Sequence, residues 1–100
     1  MKPRYADIDV DALVKECVKH NIRFMGIFGS YARGEQKKGS DMDILVEFSD
    51  KKSLFDLMDI EEELTEILGM PVDIVTKNAL HPKIRDNILK ELRVIFQQSA

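Results

Sequence analysis

Apolar and polar positions follow two rhythms along this chain, and the changes between them mark its elements. Val10, Leu13, Val14, Cys17 and Val18 recur at helical spacing behind the acids Asp7, Asp9 and Asp11, which predicts a first helix from about Asp9 to His20, closed by Asn21. Ile22 to Phe28 is a compact run rich in strand formers and ends at Gly29. A short helical turn is predicted to start at Ser30, and Gly34 to Gly39 is a polar loop. Met42 to Phe48 reads as a second strand, with its turn at Ser49 to Lys52. Ser53 caps the next helix, with Asp56 three residues on, as a capping box requires. Leu57, Ile60, Leu64, Ile67 and Leu68 form its expected buried stripe, and Gly69 followed by Pro71 ends it. Val72 to Val75 is a short third strand. Pro82 suits the first position of a last helix, with Ile84, Ile88, Leu92, Ile95 and Phe96 inward.

The expected order is therefore αβ(α)βαβα, an α/β (α+β) arrangement with a small mixed sheet of about three to four strands flanked by helices. A chain of 100 residues has material for one modest core and no second one, so one domain over 1–100 is expected. No apolar run is long enough for a membrane span, and Met1 to Tyr5 lacks the apolar stretch of a signal peptide. One cysteine allows no disulfide framework, which fits a cytoplasmic protein. Lys and Arg number 15 against 18 Asp and Glu, for a net charge of −3. A protein that grips long nucleic acid needs a basic stripe, so that partner is disfavoured while a single nucleotide is not.

The candidate chemistry lies in two clusters and one further acid. Gly29-Ser30-Tyr31-Ala32-Arg33-Gly34 follows the first strand, Ser40-Asp41-Met42-Asp43 opens the second, and Asp73 lies in the third. Asp41 and Asp43 share a face, because side chains alternate along a strand. Asp43 and Asp73 are set among apolar strand residues, where ionised carboxylates are costly without a partner. A divalent cation resolves the conflict, and hard carboxylate oxygens suit Mg²⁺. The helix between the second and third strands makes them parallel. The first strand must then run antiparallel to the second for Gly29 and Ser30 to reach the edge that carries the acids. Gly29 permits close backbone approach, the Ser30 amide and hydroxyl suit phosphate oxygens, and Arg33 can add a fork of donors. Each feature alone has an ordinary structural explanation. Their convergence on one edge makes a site.

This combination resembles the nucleotidyltransferase superfamily of the DNA polymerase beta type, whose pattern is Gly-Ser, a loop, Asp-x-Asp on a strand and a third Asp on a later strand. The longer matches, GSYARG and GSDMDILVEF, resemble its minimal nucleotidyltransferase branch. The resemblance covers about Ile22 to Phe96 and implies a palm-like fold. It implies that Asp41 and Asp43 hold one Mg²⁺ on the nucleotide's triphosphate. With Asp73 they would hold a second ion, which lowers the pKa of the acceptor hydroxyl. Gly29, Ser30 and Arg33 would bind the nucleotide, with ATP as donor. Many members of that branch are antitoxins paired with a HEPN-domain toxin, so the resemblance implies adenylylation of a tyrosine on such a partner. Larger relatives carry further domains to grip the acceptor, and the short chain here points to a protein partner that presents it. Two alternatives stay open at this stage: a catalytically idle antitoxin that acts by binding, and an enzyme acting on a small molecule such as an aminoglycoside.

Overall fold

A computed structural model of the chain describes residues 8–98; the expectations for Met1 to Tyr5 and for Asp7 lie outside them. Helix α1 spans Val10–Lys19, with Asp9 as its cap accepting from the Ala12 N–H at 3.0 Å. Strand β1 is Ile22–Phe28, helix α2 Ser30–Arg33 and strand β2 Met42–Phe48. Helix α3, Leu54–Leu68, opens on the expected capping box: Ser53 Oγ accepts from Asp56 N–H and Asp56 Oδ2 accepts from Ser53 N–H. Strand β3 is Val72–Thr76, followed by a 3-10 turn at Lys77–Ala79. Helix α4 spans Pro82–Glu91, and His81 caps it through Nδ1.

The chain then departs from expectation. The last helix stops at Glu91, and Arg93–Gln97 form strand β4, antiparallel to β1. Leu92 already has extended backbone, with ψ at 133°. Val94, Ile95 and Phe96 are β-branched and aromatic, and β1 would otherwise present an unpaired edge; both favour a strand. Ile84, expected inward, is exposed, as are Val18 on α1 and Ile67 on α3. Val18 and Ile67 lie at the margins of stripes whose centres are buried, whereas α4 buries none of its residues fully.

The sheet order is β3-β2-β1-β4, with β1 antiparallel to both neighbours and β2 parallel to β3. Alternation divides the sheet into two unequal faces. One carries Met25, Ile27, Met42, Ile44 and Val46 against Leu13 and Cys17 of α1, Ala32 of α2 and Ile60 and Leu64 of α3. The other carries Phe24 and Leu45, packed against Leu80, Ile88 and Leu92, with Lys77 Nζ over the Phe24 ring. Gly26 makes that cover fit, since a Cβ there would lie 2.8 Å from the Leu92 side chain. Among the described residues no helix is long and apolar enough to cross a membrane.

Cys17 is fully buried, its Sγ 3.8 Å from Met25 Sδ, as expected for a core thiol. Burial, aided by the charge of Glu16, pushes its pKa up to about 12. The thiolate is the reactive form. An aromatic disulfide reagent should therefore label the native protein at least about a hundredfold more slowly than the urea-unfolded chain. Equal labelling rates would show that Cys17 is accessible.

Candidate active site

Strand pairing sets the positions of the acids. Asp43 is opposite Asp73 across the parallel β2–β3 ladder and opposite Phe28 across the antiparallel β1–β2 ladder. All three register partners share a face. It is the sparsely covered face, because Asp43 and Asp73 each lie two residues before the apolar Leu45 and Val75 of that face. Asp41 precedes β2 and is exposed, Asp73 is exposed and Asp43 is half-buried. The expected antiparallel β1 brings Gly29, just past Phe28, to the same rim.

Gly29 is held against Asp43. Its backbone lies at φ 77° and ψ −154°, a region almost confined to glycine. A Cβ built there would collide with Asp43 Oδ2. The glycine therefore does more than turn the chain, because its missing side chain is the space in which the Asp43 carboxylate sits.

Burial pushes the Asp43 carboxyl above its ordinary pKa, and the charges of Asp73 and then Asp41 push it the same way; Arg33 opposes them. Among the described residues no salt bridge reaches Asp41, Asp43 or Asp73. The charges of Asp73 and Asp41 act on Asp43 with no cationic side chain bonded to any of the three among the described residues, and hard carboxylate oxygens of this kind are the donors Mg²⁺ prefers.

Arg33 is placed beside this rim. Its Nη1 donates to Glu91 Oε2 at 2.9 Å, and its Nε donates to Glu35 Oε1 at 2.7 Å. The Glu91 carboxylate also accepts the Gly29 N–H at 3.0 Å. Glu91 thus ties the glycine turn to Arg33, and neither pair uses Arg33 Nη2. Burial works against the charge on Glu91, yet Arg33 and the Gly29 N–H outweigh it and hold its pKa below the ordinary value. Ser30, first residue of α2, keeps an amide that the helix itself cannot satisfy. Four residues generate little macrodipole, so what α2 offers an anion is local N–H donors.

Sequence reasoning missed Glu91. The sequence held no signal for it, because the helical period runs on past Glu91, and only the end of α4 at Glu91 puts its carboxylate in a last turn, facing the negative end of the dipole. The cleft lined by Arg23, Phe48, Lys52, Leu57 and Lys77 lies at the other ends of β2 and β3 and does not include the acids.

The nucleotidyltransferase domain pattern matches residues 10–95. A candidate protein adenylyltransferase of Methanocaldococcus jannaschii is 54% identical over 74 residues, covering 74% of this chain and 80% of that protein. Protein adenylyltransferase MntA of Thermococcus cleftensis is 43% identical over 74 residues, covering 74% of this chain and 75% of that one. A solved toxin–antitoxin with AMP-PNP superposes with a TM-score of 0.79 at 19% identity, over 92% of this chain and 76% of that one, which is a likeness of fold.

Proposed function

Because the chain belongs to the nucleotidyltransferase domain family, we propose that it transfers AMP from ATP to a tyrosine hydroxyl of a HEPN-domain toxin in the cytoplasm and silences that toxin. The observation that carries this reading is the pairing of Asp43 with Asp73 at a rim where position 29 has no room for a side chain. Of the two named relatives one is a candidate protein adenylyltransferase and the other a protein adenylyltransferase by description, and the fold matches a toxin–antitoxin solved with a nucleotide analogue.

In this reading Asp41, Asp43 and Asp73 would hold Mg²⁺, two ions in all, which would supply positive charge to the triphosphate and the reacting hydroxyl. Ser30 directs its hydroxyl and amide to the phosphate tail. Glu91 already occupies the Gly29 N–H, so the contribution of Gly29 is the space it leaves. Arg33, braced by Glu91 and Glu35, turns its remaining donors toward the tail. The tyrosine oxygen attacks the α-phosphorus in line and its proton passes to the Asp73 carboxylate. The bond between the α-phosphorus and its bridging oxygen breaks, and pyrophosphate leaves with the electron pair.

The test incubates the chain with Mg²⁺ and ATP labelled in the adenosine, with and without the protein encoded beside it. Label on that protein alone supports the proposal. Label on an aminoglycoside, or on nothing, overturns it. Asp73→Asn should lower transfer at least about a hundredfold while nucleotide affinity stays within a few-fold. Full activity in that variant would remove Asp73 from the mechanism.

A further inference from the structure

We propose that Glu16, His20 and Glu63 form a second metal site, for a transition-metal ion of the Zn²⁺ class, clamping α1 to α3 at the end of the sheet away from the carboxylate rim. His20 lies just before β1, and Gly29 just after it. The two places are separated by the length of a seven-residue strand, about 20 Å. The proposal does not depend on the transfer reaction.

One atom from each of the three side chains lies within 4.8 Å of the others. His20 Nε2 is 3.2 Å from Glu63 Oε2 and 3.7 Å from Glu16 Oε1. A tetrahedral ion with bonds of about 2.0–2.1 Å spaces its ligand atoms roughly 3.3–3.4 Å apart. The observed separations bracket that value. Glu16 and His20 are four residues apart on one helix face, and Glu63 approaches from α3.

The group is also incomplete as it stands. Glu16 is only 8% exposed. Its Oε1 and His20 Nε2 are both buried without a hydrogen-bond partner. Such orphaned atoms normally cost free energy, so a buried pair of them needs an explanation. A protonated imidazole bridging two carboxylates is the simple one. It places Nε2 3.2 Å from Glu63 Oε2 but leaves the buried Glu16 Oε1 without a partner. A cation between the three groups satisfies both atoms at once. Imidazole nitrogen selects Zn²⁺ over Mg²⁺, because Mg²⁺ strongly prefers oxygen.

The surroundings suit a ligand set. Lys19 Nζ donates to Glu63 Oε1 at 2.6 Å and leaves Oε2 turned to His20. Such an outer contact orients a ligating carboxylate. The Glu63 side chain is 32% exposed and that of His20 17%, which leaves an entry path and room for a water as fourth ligand.

The full chain, titrated with Zn²⁺ in millimolar Mg²⁺, tests this. The expected result is one Zn²⁺ per chain, and with Co²⁺ the intense visible bands of a low-coordinate site. His20→Ala and Glu63→Gln should each weaken Zn²⁺ binding at least about tenfold. Asp43→Asn should leave it unchanged, which separates this site from the rim. If His20→Ala does not fold, Glu63→Gln, half-buried on α3, answers alone. The proposal is overturned by absence of Zn²⁺ binding, by affinity indifferent to these variants, or by Zn²⁺ binding lost in Asp43→Asn.

Discussion

Asp43→Asn is expected to lower transfer by on the order of a thousandfold and, without metal, to melt at a higher temperature than the parent protein. The two effects have one origin. Asp43 is half-buried, paired in register with Asp73 and close to Asp41. Burial and those charges raise its folded pKa. Between the unfolded and the folded pKa the native chain therefore binds more protons than the unfolded chain. Stability falls as pH rises through that window, then stays level above it. Asparagine cannot ionise, so the variant lacks this fall. A gain of 1 kcal/mol lifts the melting temperature of a domain this size by roughly 4–8 °C, enough to resolve. Mg²⁺ should reverse the order, because an ion bound only by the folded state stabilises it by mass action. Melting curves across acidic to neutral pH, with and without Mg²⁺, measure both halves. If the variant melts lower than the parent in chelator at neutral pH, Asp43 is stabilised by contacts and the electrostatic account fails.

Much of this rim was legible in the sequence because its logic is local. Alternation places Asp41 and Asp43 on one face, the helix after β2 makes β3 parallel, and the glycine turn can reach the acids only if β1 is antiparallel. The pairing of Asp43 with Phe28 and Asp73 meets each of those conditions. The failures came from partners distant in the chain. Ile84, Ile88, Leu92 and Ile95 continue a helical period without a break, and nothing local shows that β1 has an edge in need of β4. Glu91 reaches the Gly29 N–H across 62 positions. Glu63 reaches Lys19 across 44. Hydrophobic period reports which face of an element is buried. It does not report which polar side chain will answer a distant orphaned group.

Gly29→Ala should be the most damaging single-methyl change in the chain. Residue 29 has φ 77° and ψ −154°, and forcing a side-chain-bearing residue there costs about 1–3 kcal/mol in backbone strain alone. The new methyl would also collide with Asp43 Oδ2. Asp43 can respond only by swinging away from the position it shares with Asp73, or the turn can shift and loosen the Gly29 N–H from Glu91 Oε1. Either response spoils the rim, so transfer should fall about as far as in Asp43→Asn. Stability distinguishes the two, since Gly29→Ala loses it where Asp43→Asn gains. The clash and the strain separate in a double-mutant cycle measured by urea denaturation. Shortening residue 43 with Asp43→Ala removes the collision and leaves the backbone strain. The double variant should therefore lose less stability than the two single changes predict together. Strict additivity would mean that Gly29 is needed for its backbone angles alone and that the room for Asp43 has no energetic weight.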